Sequence, residues 1–244
     1  MNNNYSNKPM VTGEWRKILF ANYAVPPDLL AKFLPHGVEI DLLDHSCYLT
    51  VGGLQFLHMR VLGYKMFISQ SFGEVNLRFY ARRTNSNGEI DRGVVFIRQS
   101  APPALVCYLA NLVYKEHYSS TAVRLGMRKD NPAQWQLKYT WEKSFVSFMQ
   151  VTAGPQPEDI PEISNAHFFI DRPWGFTKIN ENETSAYKVD HPQWQGYPVH
   201  EFNGDINWKQ WVGPDFEFLT DKQPDSVMLM EGSDIVIRNK FRVD

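Results

Sequence analysis

Between Phe72 and Arg83 the chain reads FGEVNLRFYARR. Val75, Leu77, Phe79 and Ala81 alternate there with Glu74, Asn76, Arg78, Tyr80 and Arg82. A period of two belongs to an extended strand, whose successive side chains point to opposite faces of a sheet. The apolar face must be covered. The polar face allows two readings: the water-facing side of a half-buried antiparallel strand, or the wall of an enclosed site. Same-side residues lie about 6.6–6.8 Å apart, twice the rise per residue, so Glu74, Asn76 and Arg78 can share one pocket wall.

Strand-like segments dominate the rest of the chain. They are expected at Glu14–Val25, on both sides of an Asp44–His45 turn, and in GVVFIRQS after a hairpin-type turn at Asn85–Gly88. Further strands are expected at Thr121–Met127, Trp135–Trp141, Ser144–Val151, Ser185–Val189, Val227–Glu231 and Ile235–Val243, and a bulge at Gly52–Gly53. Helical signals are few. PPDLLAKFLPHG reads as a short helix stopped by Pro35, and ALVCYLANLVYK places Leu105, Tyr108, Leu109, Leu112 and Val113 at helical spacing. Many short strands with few helices predict a mainly β (α+β) fold, a barrel or strongly curved sheet with flanking helices. The Pro- and acid-rich stretch Ala153–Ser164 reads as a loop. The expected organisation is a disordered lead-in over residues 1–13 and one domain over 14–244.

Net charge is −2, from 25 Lys and Arg against 27 Asp and Glu, so no strong field recruits nucleic acid or an acidic membrane. The expected partners are a small-molecule ligand and, in a homo-oligomer, further copies of the chain. Cys47 and Cys107 form no Cys-x-x-Cys pair, and the N-terminal MNNNYSNKPM lacks the apolar segment of a signal peptide. The longest uncharged run, Gln99–Tyr114, is too short and broken to span a bilayer, so a cytoplasmic location is expected. Phosphate-cradling glycine loops and the Gly-x-Ser-x-Gly elbow are both missing. His191 and His200 could meet across a hairpin, but ordinary surface histidines are the plainer reading; neither metal nor cofactor is expected.

Several motifs, taken in order, carry a resemblance. LPHGVEIDLLDHSCYLTVGGLQF, FGEVNLRFYARR, DRGVVFIRQSAPPALVCYLANLVYKEHYSSTAV, HFFIDRPWGF and VDHPQW are similar to consecutive signatures of the YqjF-like proteins. These form a family of unknown function (domain of unknown function 2071) in the acetoacetate decarboxylase-like superfamily. The resemblance runs from about Trp15 to the C-terminus. It implies a cone- or barrel-shaped sheet around a small-molecule cavity, with Glu74, Asn76 and Arg78 facing inward. Glu74 is then the candidate catalytic group, and Asn76 and Arg78 candidate ligand contacts. A carboxylate in a cavity is costly unless paired or protonated, and Arg78 is placed to keep Glu74 ionised. Should Arg78 turn to a ligand carboxylate instead, the pKa of Glu74 would rise toward that of a general acid.

The superfamily's imine chemistry does not carry over. Acetoacetate decarboxylase uses a lysine with a second lysine beside it, whereas here His117–Tyr118–Ser119 falls over that turn. Lys115 precedes the turn, and Glu116 beside it would raise its pKa, so a solvated lysine is the plainer reading. The decarboxylase's substrate-binding arginine matches about Ala24. Where the family has Ser-Leu-Asp-Ala and Pro-Tyr, this chain has Arg98–Gln99–Ser100–Ala101 and His117–Tyr118. Arg98, His117 and Tyr118 are therefore added as ligand-binding candidates, against the alternatives of an exposed strand end, a loop histidine and a core tyrosine. Asp171 and Arg172, as neighbours, should face opposite ways, and Trp174 and Trp194 should cover the barrel. The expected function is binding of a small carboxylate or carbonyl compound. One reading is an enzyme that uses that site for acid–base chemistry without a Schiff-base lysine. The alternative is a non-catalytic ligand-binding protein, or a structural or interaction protein whose cavity is filled.

Overall fold

The computed structural model describes residues 8–65, 71–102, 118–142 and 145–243. In chain order the strands are β1 (Pro9–Val25), β2 (Glu39–Ile40), β3 (Cys47–Val61), β4 (Tyr64–Lys65), β5 (Phe72–Thr84), β6 (Ile90–Ala101), β7 (Tyr118–Ser120), β8 (Ala122–Asn131) and β9 (Gln134–Glu142). They continue as β10 (Val146–Ala153), β11 (Glu158–Asp159), β12 (Trp174–Asn180), β13 (Glu183–Asp190), β14 (Gln195–Tyr197), β15 (Val199–Asp205), β16 (Ser226–Arg238) and β17 (Phe241–Val243). The helix expected over Leu105–Val113 lies outside the described residues.

The hydrogen-bond ladder runs β16–β1–β3–β5–β6–β12–β13 and returns to β16 through Val189–Ile237 and Asp190–Val236, so the sheet closes on itself. Neighbours in this ring are antiparallel except β6 and β12, which run parallel at Gly93–Trp174 and Gly175–Val94. Closure removes the exposed edges along which open sheets aggregate. Gly93 is required at that seam: a Cβ there would stand 2.3 Å from the Trp174 carbonyl oxygen.

A second sheet, in the order β15–β10–β9–β8, covers the outside of the barrel. Its Tyr139 ring lies over Gly53 of β3, where a Cβ would come within 2.5 Å of it. Leu137, Tyr139, Met149 and Val151 pack with Val75, Leu77, Phe79 and Ala81 in one outer core, while Phe72 and Tyr80 belong to the inner one. Strand β5 is thus covered on both faces over its centre, and its polar row from Glu74 to Tyr80 does not face bulk water, whereas the Arg82 side chain near its end is 43% exposed. The helices Pro27–Ala31 and Trp208–Trp211 and the 3-10 turn Pro214–Leu219 add Leu30, Trp208, Trp211, Phe216 and Leu219 to the outer core. The helix Ala166–Ile170 packs inward instead, with Phe169 5.3 Å from Tyr48 and from Tyr80, ring to ring. Among the described residues no helix is long and apolar enough to cross a membrane.

Two local expectations need correction. β1 opens at Pro9 within the expected lead-in, because partners distant in sequence hold it: Pro9 pairs with Arg238, and Thr12 with both Val236 and Arg60. The bulge foreseen at Gly52–Gly53 is not in β3, whose pairing with β5 is continuous there. It lies in the facing strand, where Lys17 and Ile18 oppose Leu54 and Lys17 has φ 53°. The two glycines serve close packing instead, Gly53 against Tyr139 and Gly52 against Asn76.

Candidate functional site

The barrel encloses a cavity of about 80 Å³. The inward row of β5 supplies Glu74, Asn76 and Arg78, β6 supplies Phe96 and Gln99, and the segment after the Ala166–Ile170 helix brings Arg172. His191 and Trp194 enter just beyond β13. Trp15, Phe56, Trp174 and Tyr187 are among the aromatic walls, and they leave the interior partly open.

The charged and polar groups hold distinct positions. Asn76 donates from Nδ2 to Glu74 Oε1 at 3.0 Å, while its Oδ1 is buried with no hydrogen-bond partner. Arg78 lays its guanidinium over the Phe20 ring, 4.1 Å from the centroid, and its buried Nε also has no partner. Among the described contacts Glu74 is bonded by the Asn76 amide, and Arg78 meets the Phe20 ring and the Tyr80 hydroxyl in place of the Glu74 pairing expected from the sequence. Arg172 is committed elsewhere: it pairs with buried Asp41, which Arg92 also engages, and stacks on Phe168 at 4.0 Å. Burial pulls the pKa of Arg172 down, and the bond to Asp41 opposes that shift. Below Arg78, Tyr80 and Thr50 are joined at 2.7 Å, and Thr50 donates to Asn22 at 2.6 Å.

His191 Nδ1 lies 2.8 Å from the Pro192 carbonyl, which can only accept. The ring therefore carries its proton on Nδ1 and keeps Nε2 basic. It stacks on Trp194 at 4.2 Å with an 18° interplanar angle. Burial lowers its pKa below the ordinary value of 6.5, and the charge of Arg78 pushes the same way against Asp171 and Asp190. The imidazole is neutral at pH 7.

The fold brings Glu74, Asn76 and Arg78 together but sends Arg98 elsewhere. Leu77 pairs with Arg98 and the next residue, Arg78, pairs with Phe96, so Ile97 is an extra residue in β6. This bulge reverses the alternation: Val94 and Phe96 face the cavity before it, Gln99 after it, and Arg98 lines a separate hollow on the outer face. His117 and Lys115 lie outside the described residues, as does Tyr118 apart from its backbone in β7. Asp171 and Arg172 lie at the end of the Ala166–Ile170 helix, not on the expected strand, and they take separate partners, Asp171 pairing with His167 and Arg172 with Asp41. Trp174 and Trp194 both line the cavity. His200 is exposed on β15, far from the role of a partner to His191, and among the described residues no group of three or more His, Cys, Asp or Glu could hold a metal. The sequence reading missed His191 and Gln99 as cavity residues. The HPQW turn was the available signal for the first; the bulge concealed the second.

A closed barrel, an outer sheet and an enclosed polar cavity together define an acetoacetate decarboxylase-like fold. An acetoacetate decarboxylase from Legionella pneumophila superposes with a TM-score of 0.66 at 13% identity, over 100% of this chain and 90% of that one. An acetoacetate decarboxylase-like enzyme from Sphingomonas wittichii gives 0.65 at 12%, over 97% and 94%. The enduracididine biosynthesis enzyme MppR complexed with pyruvate gives 0.64 at 12%, over 97% and 91%. No curated protein matches the chain in sequence. Residues 12–234 match the DUF2071 family, described as an uncharacterized conserved protein, and the chain belongs to that family.

Proposed function

We propose that the barrel cavity binds a small organic acid or carbonyl compound, held by Arg78 and Asn76, with Glu74 exchanging a proton with it. The observation that carries this reading is the pair of buried, unpartnered atoms on one strand face, Asn76 Oδ1 and Arg78 Nε. Leaving such an atom unsatisfied costs roughly 1–3 kcal/mol. A ligand offering a carboxylate to Arg78 and a hydroxyl or similar donor to Asn76 removes both costs. The cavity volume of about 80 Å³ suits a ligand of few heavy atoms. A neighbour of the same fold complexed with pyruvate supports a small carboxylate as the class. Asn76 also bonds Glu74, so a ligand on the amide oxygen is brought beside a carboxylate, and neutral His191 supplies a second proton carrier. The reading invokes no cofactor, nucleic acid or membrane.

The test is a thermal-shift and turnover screen against small oxo and hydroxy acids, pyruvate included. Wild-type protein should show a saturable rise in Tm, about 2.7 kcal/mol of added stability at a hundredfold excess over Kd. Arg78→Met should abolish the rise. Glu74→Gln should keep the affinity within a few-fold and lose turnover; unchanged turnover would remove Glu74 from the chemistry, and binding without wild-type turnover would leave a non-catalytic binder. No rise with any acid, or an undiminished rise in Arg78→Met, rules the site out.

A further inference from the structure

The hollow that receives Arg98 lies on the outer face of β6, between the barrel, the second sheet and the Trp208–Trp211 helix. Its volume is about 40 Å³, against the roughly 10–15 Å³ that one water needs. Two buried donors there have no acceptor: Arg98 Nε and Trp141 Nε1. Trp141 is 2% exposed and packs on Trp211 at 5.2 Å, ring to ring, so it is not free to swing out. The Trp211 indole is already satisfied, donating to Ser100 Oγ at 3.3 Å. Ser147 Oγ accepts from the Asn207 backbone at 3.0 Å, which leaves its own proton to donate. Among the described residues no carboxylate lines the pocket and no acid pairs with Arg98. Desolvation accordingly lowers the pKa of the guanidinium.

An arginine and an indole N–H are donors only and cannot satisfy each other. What completes them is an acceptor, and the fixed positive charge favours a charged one. We propose that this outer pocket binds a small oxyanion, a carboxylate or inorganic phosphate, through Arg98, Trp141 and Ser147. The site is independent of the barrel cavity. The extra residue Ile97 puts Arg98 on one side of the barrel wall and Gln99 on the other.

Isothermal titration of the full chain with inorganic phosphate and, separately, acetate tests this, with chloride holding ionic strength constant. Saturable binding of either ion is expected, and the tighter of the two identifies the class. Arg98→Gln and Trp141→Phe should each weaken it roughly ten- to hundredfold, the loss expected for a hydrogen bond to a charged partner. Arg78→Met, altered only in the barrel cavity, should bind phosphate as wild type does and should keep the acetate site that Arg98→Gln and Trp141→Phe weaken. Three results overturn the proposal: no saturable binding of either ion, undiminished binding in Trp141→Phe, or loss confined to Arg78→Met. Should Arg98→Gln fail to fold, Trp141→Phe decides alone, since it keeps an aromatic ring in place and deletes the donor.

Discussion

His191 owes its neutrality to its surroundings. Burial, with Trp194 over one face of the ring, is the main cause and Arg78 adds repulsion toward a proton, while the bond to the Pro192 carbonyl fixes the tautomer but favours the charged form. A histidine whose pKa is lowered on folding contributes stability that is complete above the unfolded value of about 6.5. As pH falls below that value the unfolded chain takes up the proton first, and the contribution is lost until the folded pKa is passed. Wild-type protein should therefore lose more stability between about pH 7 and pH 5 than His191→Gln, measured by urea unfolding at each pH. Equal losses in the two proteins would mean that the imidazole titrates normally.

At the level of elements, closure of the barrel depends on the short parallel contact between β6 and β12. Gly93 sits where the Trp174 backbone approaches too closely for any side chain, and a backbone neighbour cannot rotate away as a side chain can. Gly93→Ala should lower stability by about 3 kcal/mol or more, read as a fall in the urea midpoint. A change under about 0.5 kcal/mol would mean that the seam has slack. The strands themselves were legible from sequence because alternation is a property of one segment, and Glu74, Asn76 and Arg78 could be set on one face from spacing alone. The bulge at Ile97 was not legible: an extra residue is extra only relative to a partner, and nothing local distinguishes Ile97 from its neighbours. Likewise Gly52–Gly53 marked an unusual point correctly but not its cause, since Tyr139 and Asn76 arrive from other strands. His191 reaches the cavity through the course of a turn that local patterning does not specify.

For the whole molecule, the outer sheet and the barrel share one apolar core, in which Val75, Leu77 and Phe79 touch the same cluster as Leu137, Tyr139 and Met149. A sheet bound this way has little to hold it once the barrel opens. Unfolding followed by tryptophan fluorescence and by far-ultraviolet circular dichroism should give coincident transitions; separated midpoints would show that the second sheet melts alone. Because β5 is walled in on both sides, none of its central positions is free to vary without consequence. A lost methyl group at Leu77 lets the strand settle outward, and the guanidinium and amide anchored next to it move with the backbone. Under the proposed function, substitutions that never touch the ligand would thus still change which ligand the chamber accepts.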